Sequence, residues 1–271
     1  MRHMDANRSF ISRYARIWWR LIGILFASNS ASRLEFICYV LSKILRMCFF
    51  FVFAHTLVAK TGTYTGYSRG EVLLFATSMN LIDVALQLFY RGLTILPRQV
   101  RSGDFDFTLT RPVSPFFWST FCIFDFFDLT TLPFGLGLFY YAVHLLPYQV
   151  SASSWTLGIF CTLIGFILAM LVNILIATLA FWTPEIENGV WLYRDLSYIS
   201  RFPTEIFPRG VQWLLTFVIP IFMIAAFPAK ALMGRLSLDL VIASVVFAIL
   251  LALFARHLWK TGLSRYTSAS S

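Results

Sequence analysis

Apolar runs long enough to cross a membrane follow one another along the chain, separated by short polar segments. A spanning helix needs about 20 predominantly apolar residues, and the pattern predicts six. The predicted spans are residues 34–59, 71–90, 116–143, 155–182, about 188–207 and 236–254. The predicted fold is an all-α integral membrane protein with a single transmembrane domain over residues 1–271.

The longest apolar stretch lies in the middle of the chain. From Leu129 to Pro184 there is no Asp, Glu, Lys or Arg. This stretch is too long for one span and predicts two spans, joined near residues 144–154. Because that connection lacks Lys and Arg, the positive-inside rule places it outside.

Residues 1–30 predict an interfacial amphipathic helix. Arg13, Arg16 and Arg20 recur at helical spacing, with apolar and aromatic residues between them. Such a helix lies in the membrane interface with its arginines toward lipid phosphates. We find no short apolar core followed by a cleavage site, which argues against a cleaved signal peptide.

Two topologies fit the stretch before the last span. Residues 183–210 are too polar for a plain span, whereas residues 211–229 are apolar but interrupted by Pro220. Either the apolar segment is the fifth span, or residues 188–207 are, and residues 208–232 form a re-entrant hairpin at the outer face. Non-helical backbone at such depth is tolerated only when it is buried in protein.

Composition and charge agree with a multi-pass membrane protein. The chain is 58% hydrophobic and 13% charged, against about 25% charged in soluble domains. Its net charge of +9 is interpreted as positive-inside bias rather than nucleic-acid binding. Arginines concentrate near the N-terminus, between spans two and three, and after span six. Both termini are therefore predicted to be cytoplasmic.

The sequence predicts neither catalysis nor a cofactor or metal site in this chain. None of its four lysines follows a glycine, so there is no P-loop, and GxSxG and HExxH motifs are also missing. The four cysteines lack CxxC spacing and lie in apolar stretches, where we expect small buried hydrophobes. They are Cys38, Cys48, Cys122 and Cys161.

Span two carries a polar face. Asn80, Asp83, Gln87 and Arg91 are spaced 3, 4 and 4 apart, which gathers them on one side of a helix. Such side chains are costly in lipid and should face protein or water. They form either an interhelical hydrogen-bond seam or part of a translocation path.

Charged residues also occur in spans one and three. Lys43 and Arg46 are expected to extend their side chains to the cytoplasmic side. Asp125 and Asp128 share a helix face, and they either pair with these two cations or contribute to the translocation path.

The polar segment between spans two and three has a distinctive order of residues. Its pattern consists of Arg101, Gly103, Asp104, Asp106, Leu109, Arg111, Pro112 and Val113. It resembles the cytoplasmic loop of ABC-2-type exporter permeases, in the subgroup that includes viologen-exporter-type permeases. The stretches TGYSRGEVL and RFPTEIFPRGVQWLLTFVIPIFMIAAFPAKAL also resemble that subgroup.

The resemblance implies a permease subunit of an ATP-driven exporter in a bacterial cytoplasmic (inner) membrane. It implies a permease dimer above two ABC ATPase subunits that bind ATP and Mg²⁺, with a different second permease chain favoured over an identical one. It also favours the re-entrant topology, and a coupling helix within residues 91–115 that docks on the ATPase. The residues assigned to ATPase coupling are Arg98, Arg101, Gly103, Asp104, Asp106, Arg111 and Pro112.

A different class of transporter remains an alternative. A proton- or ion-coupled secondary transporter would use Asp83 and Asp125 as proton carriers. The aromatic-rich, weakly anionic interior is expected to favour amphipathic or cationic organic substrates.

Overall fold

A computed structural model describes residues 12–24, 33–61, 66–121, 126–183, 186 and 188–267. Its regular elements are helices. The α-helices are α1 (12–24), α2 (Arg33–Thr61), α3 (Arg69–Ser102), α4 (Phe105–Leu109), α5 (Pro115–Phe121), α6 (Phe126–Leu129), α7 (Leu132–His144), α8 (Ala152–Thr178), α9 (Gly189–Ser197), α10 (Arg209–Trp213), α11 (Phe227–Leu232) and α12 (Leu238–Arg265). Short 3-10 turns cover Leu179–Phe181, Tyr198–Arg201 and Thr204–Ile206, and π-helical turns cover Leu214–Val218 and Phe222–Ala226.

Helix α3 is the central element. It begins at a capping box, in which the Ser68 backbone N–H donates to Glu71 and the Glu71 N–H donates to the Ser68 hydroxyl. It ends at Gly103, whose φ of 80° is readily adopted by glycine. All residues from 71 to 80 are buried, and α3 contacts α2, α5, α7 and α8.

Helix α3 continues through the first part of the predicted loop 91–115. Its last turns bury Leu93, Leu96 and Val100, spaced three and four apart. These residues provide an apolar stripe that packs on the bundle, while Arg98 and Arg101 are exposed. The non-helical connection is therefore shorter than expected, because the arginines occupy one face of a helix rather than a loop.

Four helices of the described chain are long and apolar enough to cross a membrane: Leu34–Thr56, Arg69–Leu88, Ala152–Phe181 and Leu238–Arg265. A bent pair, Arg209–Val218 with Phe222–Leu232, raises this number to five if it is one span. The predicted third span, 116–143, falls into α5, α6 and α7 with a turn at Thr130–Thr131, and residues 122–125 lie outside the described part.

The bundle has two ends, named here after residues of α3. At the Glu71 end, Arg235 forms an ion pair of 2.8 Å with Glu71, which also accepts a hydrogen bond from Tyr148. At the Ser102 end, the Phe105 ring lies against Tyr266, just after α12. Helices α8 and α12 therefore run in the same direction as α3.

The segment 189–232 combines a polar part and a bent apolar part. Arg194 in α9 contacts Asp83 midway along α3, and Lys230 forms an ion pair of 2.7 Å with Glu205. The bent pair, which turns by 85° next to Pro220, therefore starts and finishes near the Glu71 end. This shape fits either of the two predicted topologies, since the pair is a re-entrant hairpin or one broken span.

A close backbone contact holds the bent pair against α8. A Cβ added to Gly165 would lie 2.1 Å from the carbonyl oxygen of Ile224. No side chain fits there, so glycine allows the second half of the pair, which is almost entirely buried, to approach α8.

The described cysteines are free. Cys161 is buried and Cys48 is half-buried, but Cys38 is exposed. The expectation of burial is therefore wrong for Cys38, because α2 is mostly exposed in this single chain. Cys122 lies outside the described residues.

Candidate functional site

Asp83 is the centre of a polar seam along α3. The Arg194 guanidinium donates to both carboxylate oxygens, over 3.0 and 3.2 Å. Tyr198 and Gln87 also donate to Oδ2, over 3.2 and 3.3 Å. Only 5% of Asp83 is exposed, so a bidentate arginine compensates a buried negative charge.

A second ion pair extends the seam to α2 and α6. The Lys43 ammonium lies 2.7 Å from Asp128, whose side chain is fully buried, and donates to Gln87 over 3.4 Å. The Tyr39 hydroxyl also donates to Asp128. Of the two alternatives for Asp128, the structure therefore has the pairing with a cation of α2, and this cation is Lys43. Asp125, predicted beside Asp128, lies outside the described residues.

Asn80, the third predicted residue of this face, accepts a hydrogen bond of 3.4 Å from Arg201. The seam thus joins α3 to α2, α6, α9 and the turn Tyr198–Arg201. Sequence reasoning missed Arg194 and Arg201 as partners of α3. The available signal was two arginines flanked by apolar residues in a stretch already too polar for a plain span.

The seam encloses very little space in the described chain. Asp83, Arg194 and Asn173 line a cavity of about 10 Å³, which holds no more than one water molecule. Larger cavities of about 540 and 390 Å³ lie elsewhere, near Tyr148 and Lys230. These contacts match an interhelical seam, and a role of Asn80, Asp83, Gln87, Asp125 or Asp128 in translocation stays a prediction.

The segment after α3 presents two kinds of surface. Gly103 turns the chain, and Ser102 donates to the Asp104 carboxylate over 2.7 Å. In the short helix α4, Phe105 is fully buried, whereas 69% of Phe107 and 40% of Leu109 are exposed. The segment is therefore anchored by one aromatic ring and offers two apolar side chains outward.

An aromatic cluster anchors α4 to the ends of α8 and α12. The Phe105 ring centroid lies 5.1 Å from Tyr266 and 5.4 Å from Phe181. Phe181 and Phe116 both pack on Trp259, over 5.5 and 5.2 Å. Burial raises the pKa of Tyr266 to about 12, and the nearby Asp106 carboxylate adds to the shift. Asp106 therefore faces the C-terminal end of α12.

The remaining predicted coupling residues hold the segment in place. The Arg111 guanidinium lies 3.8 Å over the Trp118 ring, a cation–π contact. The Pro112 carbonyl accepts a hydrogen bond from Arg13 of α1. The Ser114 N–H donates to the Tyr14 hydroxyl over 3.1 Å. Helix α1 thus lies along the connection into α5.

The described residues contain no cluster of three His, Cys, Asp or Glu side chains that could hold a metal ion. The buried acids are engaged by cations, as the seam shows.

Comparisons with known proteins identify the family of this chain. No curated protein matches the chain, and no solved structure does. The family model for ABC-2 family transporter proteins matches residues 41–270. This range includes α3, the segment after it, and the whole of α12. The chain therefore belongs to the ABC-2 transporter family, as a multi-pass membrane permease component.

Proposed function

We propose that this chain is the permease subunit of an ATP-driven exporter in a bacterial cytoplasmic membrane. Separate ATPase chains would bind ATP and Mg²⁺ and drive export through a permease dimer, with a different second chain favoured. Family membership supports the permease role. The likeness to viologen-exporter-type permeases supports the direction of transport.

The observation that carries ATP coupling is the exposure of Phe107 and Leu109 on α4. Phe107, two residues from the buried Phe105, is the main apolar side chain of this surface, and the exposed Arg98, Arg101 and Asp104 lie close to it in sequence. Apolar centres with polar rims are typical of protein interfaces. An ATPase that covers this surface would hold α4 from outside, while Phe105 holds it from within.

Topology follows from the same proposal. An ATPase is cytoplasmic, so the Ser102 end would face the cytoplasm with both termini, and the Glu71 end would face outward. The segment 208–232 would then be a re-entrant hairpin from the outer face. Its ion pair from Lys230 to Glu205 supports this, because it brings the two ends of the segment together.

The experiment is co-purification of the tagged chain with its ATPase, combined with ATP-driven export in vesicles. We expect Asp104→Asn with Asp106→Asn to weaken ATPase binding while expression is unchanged. Arg98→Lys with Arg101→Lys keeps the charge but loses the planar fork, and we expect a similar defect. Matched controls are Asp239→Asn and Arg209→Lys, which are exposed near the Glu71 end.

Two results would contradict the proposal. If the aspartate and arginine double variants bind the ATPase and export as well as the parent, this segment is not the coupling element. If the purified chain transports alone and is indifferent to ATP, the secondary-transporter alternative replaces an ABC exporter.

A further inference from the structure

In the described part of the chain, cations outnumber carboxylates where α2 meets the turn Tyr198–Arg201. Among the described residues, Asp128 is paired with Lys43 and Asp83 with Arg194. Arg201 has no carboxylate within ion-pair distance in that part of the chain. Charged side chains in a membrane interior are rare, and they mark ligand pathways when a partner is missing.

Arg201 is only partly satisfied. It is 9% exposed, its one hydrogen bond to Asn80 is long at 3.4 Å, and its Nε is buried without a partner among the described residues. Burying a cation without an anion is costly. The Nε donor of Arg201 is therefore available for an acceptor that the described part of the chain does not provide.

A second arginine faces the same place. Arg46 is exposed on α2, one turn before Phe50, and the Arg201 guanidinium lies over the Phe50 ring. No ion pair of Arg46 occurs among the described residues. Two like charges repel each other, and an anion between them would relieve that repulsion.

Aromatic rings provide the apolar part of this surface. The Arg201 guanidinium lies 3.8 Å from the Tyr198 ring centroid and 4.7 Å from that of Phe50. Phe202 packs on Phe50 over 5.8 Å, and Phe53, one turn further along α2, is exposed. A ligand that satisfies the arginines would also contact these rings.

Most of the surface of α2 is open, since only 6% of its apolar window is buried within the chain. A headgroup that reaches Arg201 displaces its contact with the Phe50 ring. We propose that Arg46, Arg201, Phe50 and Tyr198, the α2 basic cluster, bind an amphipathic organic anion whose carboxylate or sulfonate lies between the two arginines. This inference rests on the proposed function in naming a substrate class, and it differs from the cationic substrates expected from composition.

The test uses the purified full-length chain in nanodiscs of zwitterionic lipid, without ATPase or ATP. The probe is radiolabelled decanoate, compared with decyltrimethylammonium, which has the opposite charge on the same tail. We expect saturable binding of decanoate only. Arg201→Gln and Arg46→Gln should each weaken it about tenfold or more, because a hydrogen bond to a charged group is lost. Arg209→Gln, at the Glu71 end, should bind like the parent.

Thermal stability separates loss of the site from loss of the fold. Arg201→Gln removes a buried cation that forms no ion pair within the described ranges, so its apparent melting temperature without ligand should equal or exceed that of the parent. Decanoate should raise the melting temperature of the parent but not of this variant. Arg201→Lys should recover part of the binding.

Several outcomes would overturn the inference. They are equal binding of the anion and the cation, unchanged decanoate binding in both glutamine variants, and full occupation of the cluster by added phosphatidylglycerol. A fourth outcome is that a carboxylate of a second permease chain pairs with Arg46. In that case Arg46→Gln would lose the dimer, and the parent would not bind decanoate. Because no ATPase is present, these results do not test the coupling proposal. A failed coupling test likewise does not contradict anion binding at the α2 basic cluster.

Discussion

Buried carboxylates in this permease lie beside their own cations. Asp83 receives two hydrogen bonds from Arg194 and one from Tyr198. Removal of one partner of a buried pair costs about 3–5 kcal/mol, because the other charge is left alone. The energetic role of each side chain therefore depends on its partner more than on its own type.

We expect Asp83→Asn to lower the apparent melting temperature of the purified chain markedly, since Arg194 then lacks its carboxylate. The double variant Asp83→Asn with Arg194→Gln should recover much of that loss, because neither charge remains. Thermal unfolding in detergent measures both. A single variant as stable as the parent would show that the pair adds no stability.

Phe105 and Phe107 are two residues apart on α4 but differ in burial. Phe105→Ala should destabilise the chain by about 3–5 kcal/mol, the usual cost for a buried phenylalanine. Phe107→Ala should leave stability unchanged, since the ring is 69% exposed, and should reduce ATPase co-purification. The proposed docking surface fails if Phe107→Ala retains the ATPase fully.

At the scale of elements, the bent pair depends on close packing against α8. Gly165 leaves no space for a methyl group beside the Ile224 carbonyl. We expect Gly165→Ala to displace the second half of the pair and to cost about 1–3 kcal/mol. Gly137→Ala in α7, with nothing within 4 Å, is the matched control and should stabilise its helix by up to about 1 kcal/mol. If both variants melt alike, the contact does not position the pair.

The sequence predicted the helical class and the polar face of α3, because apolar runs and helical spacing are local patterns. Gly103 at the end of α3 is also a local signal, because glycine readily adopts the positive φ found there. The sequence predicted a coupling helix within residues 91–115 but not the unbroken continuation of α3 through residues 91–102, because the apolar stripe of Leu93, Leu96 and Val100 was outweighed by Arg91, Arg98 and Arg101. The pairing of Asp83 with Arg194 joins residues far apart in sequence, and no local pattern shows which distant cation a carboxylate meets.

At the scale of the whole molecule, the proposed topology assigns each end of the bundle to one side of the membrane. Single cysteines in a cysteine-free background test it with a membrane-impermeant maleimide on intact cells. We expect labelling at Gln149→Cys, Gly210→Cys and Ser237→Cys, and none at Ser102→Cys or Ser264→Cys until the cells are permeabilised. If Gly210→Cys and Ser237→Cys label from opposite sides, the bent pair is a span and the re-entrant proposal is wrong.

Helix α3 runs from the ion pair of Glu71 with Arg235 to the segment that would face the proposed ATPase. Its 34 residues give a length of about 51 Å at 1.5 Å per residue. A tilt of about 5° around one end would move the other by about 4 Å over that length. A small rotation at the Glu71 end would therefore reach α4 as a displacement the size of a side chain, provided that the helix keeps its shape at Pro97.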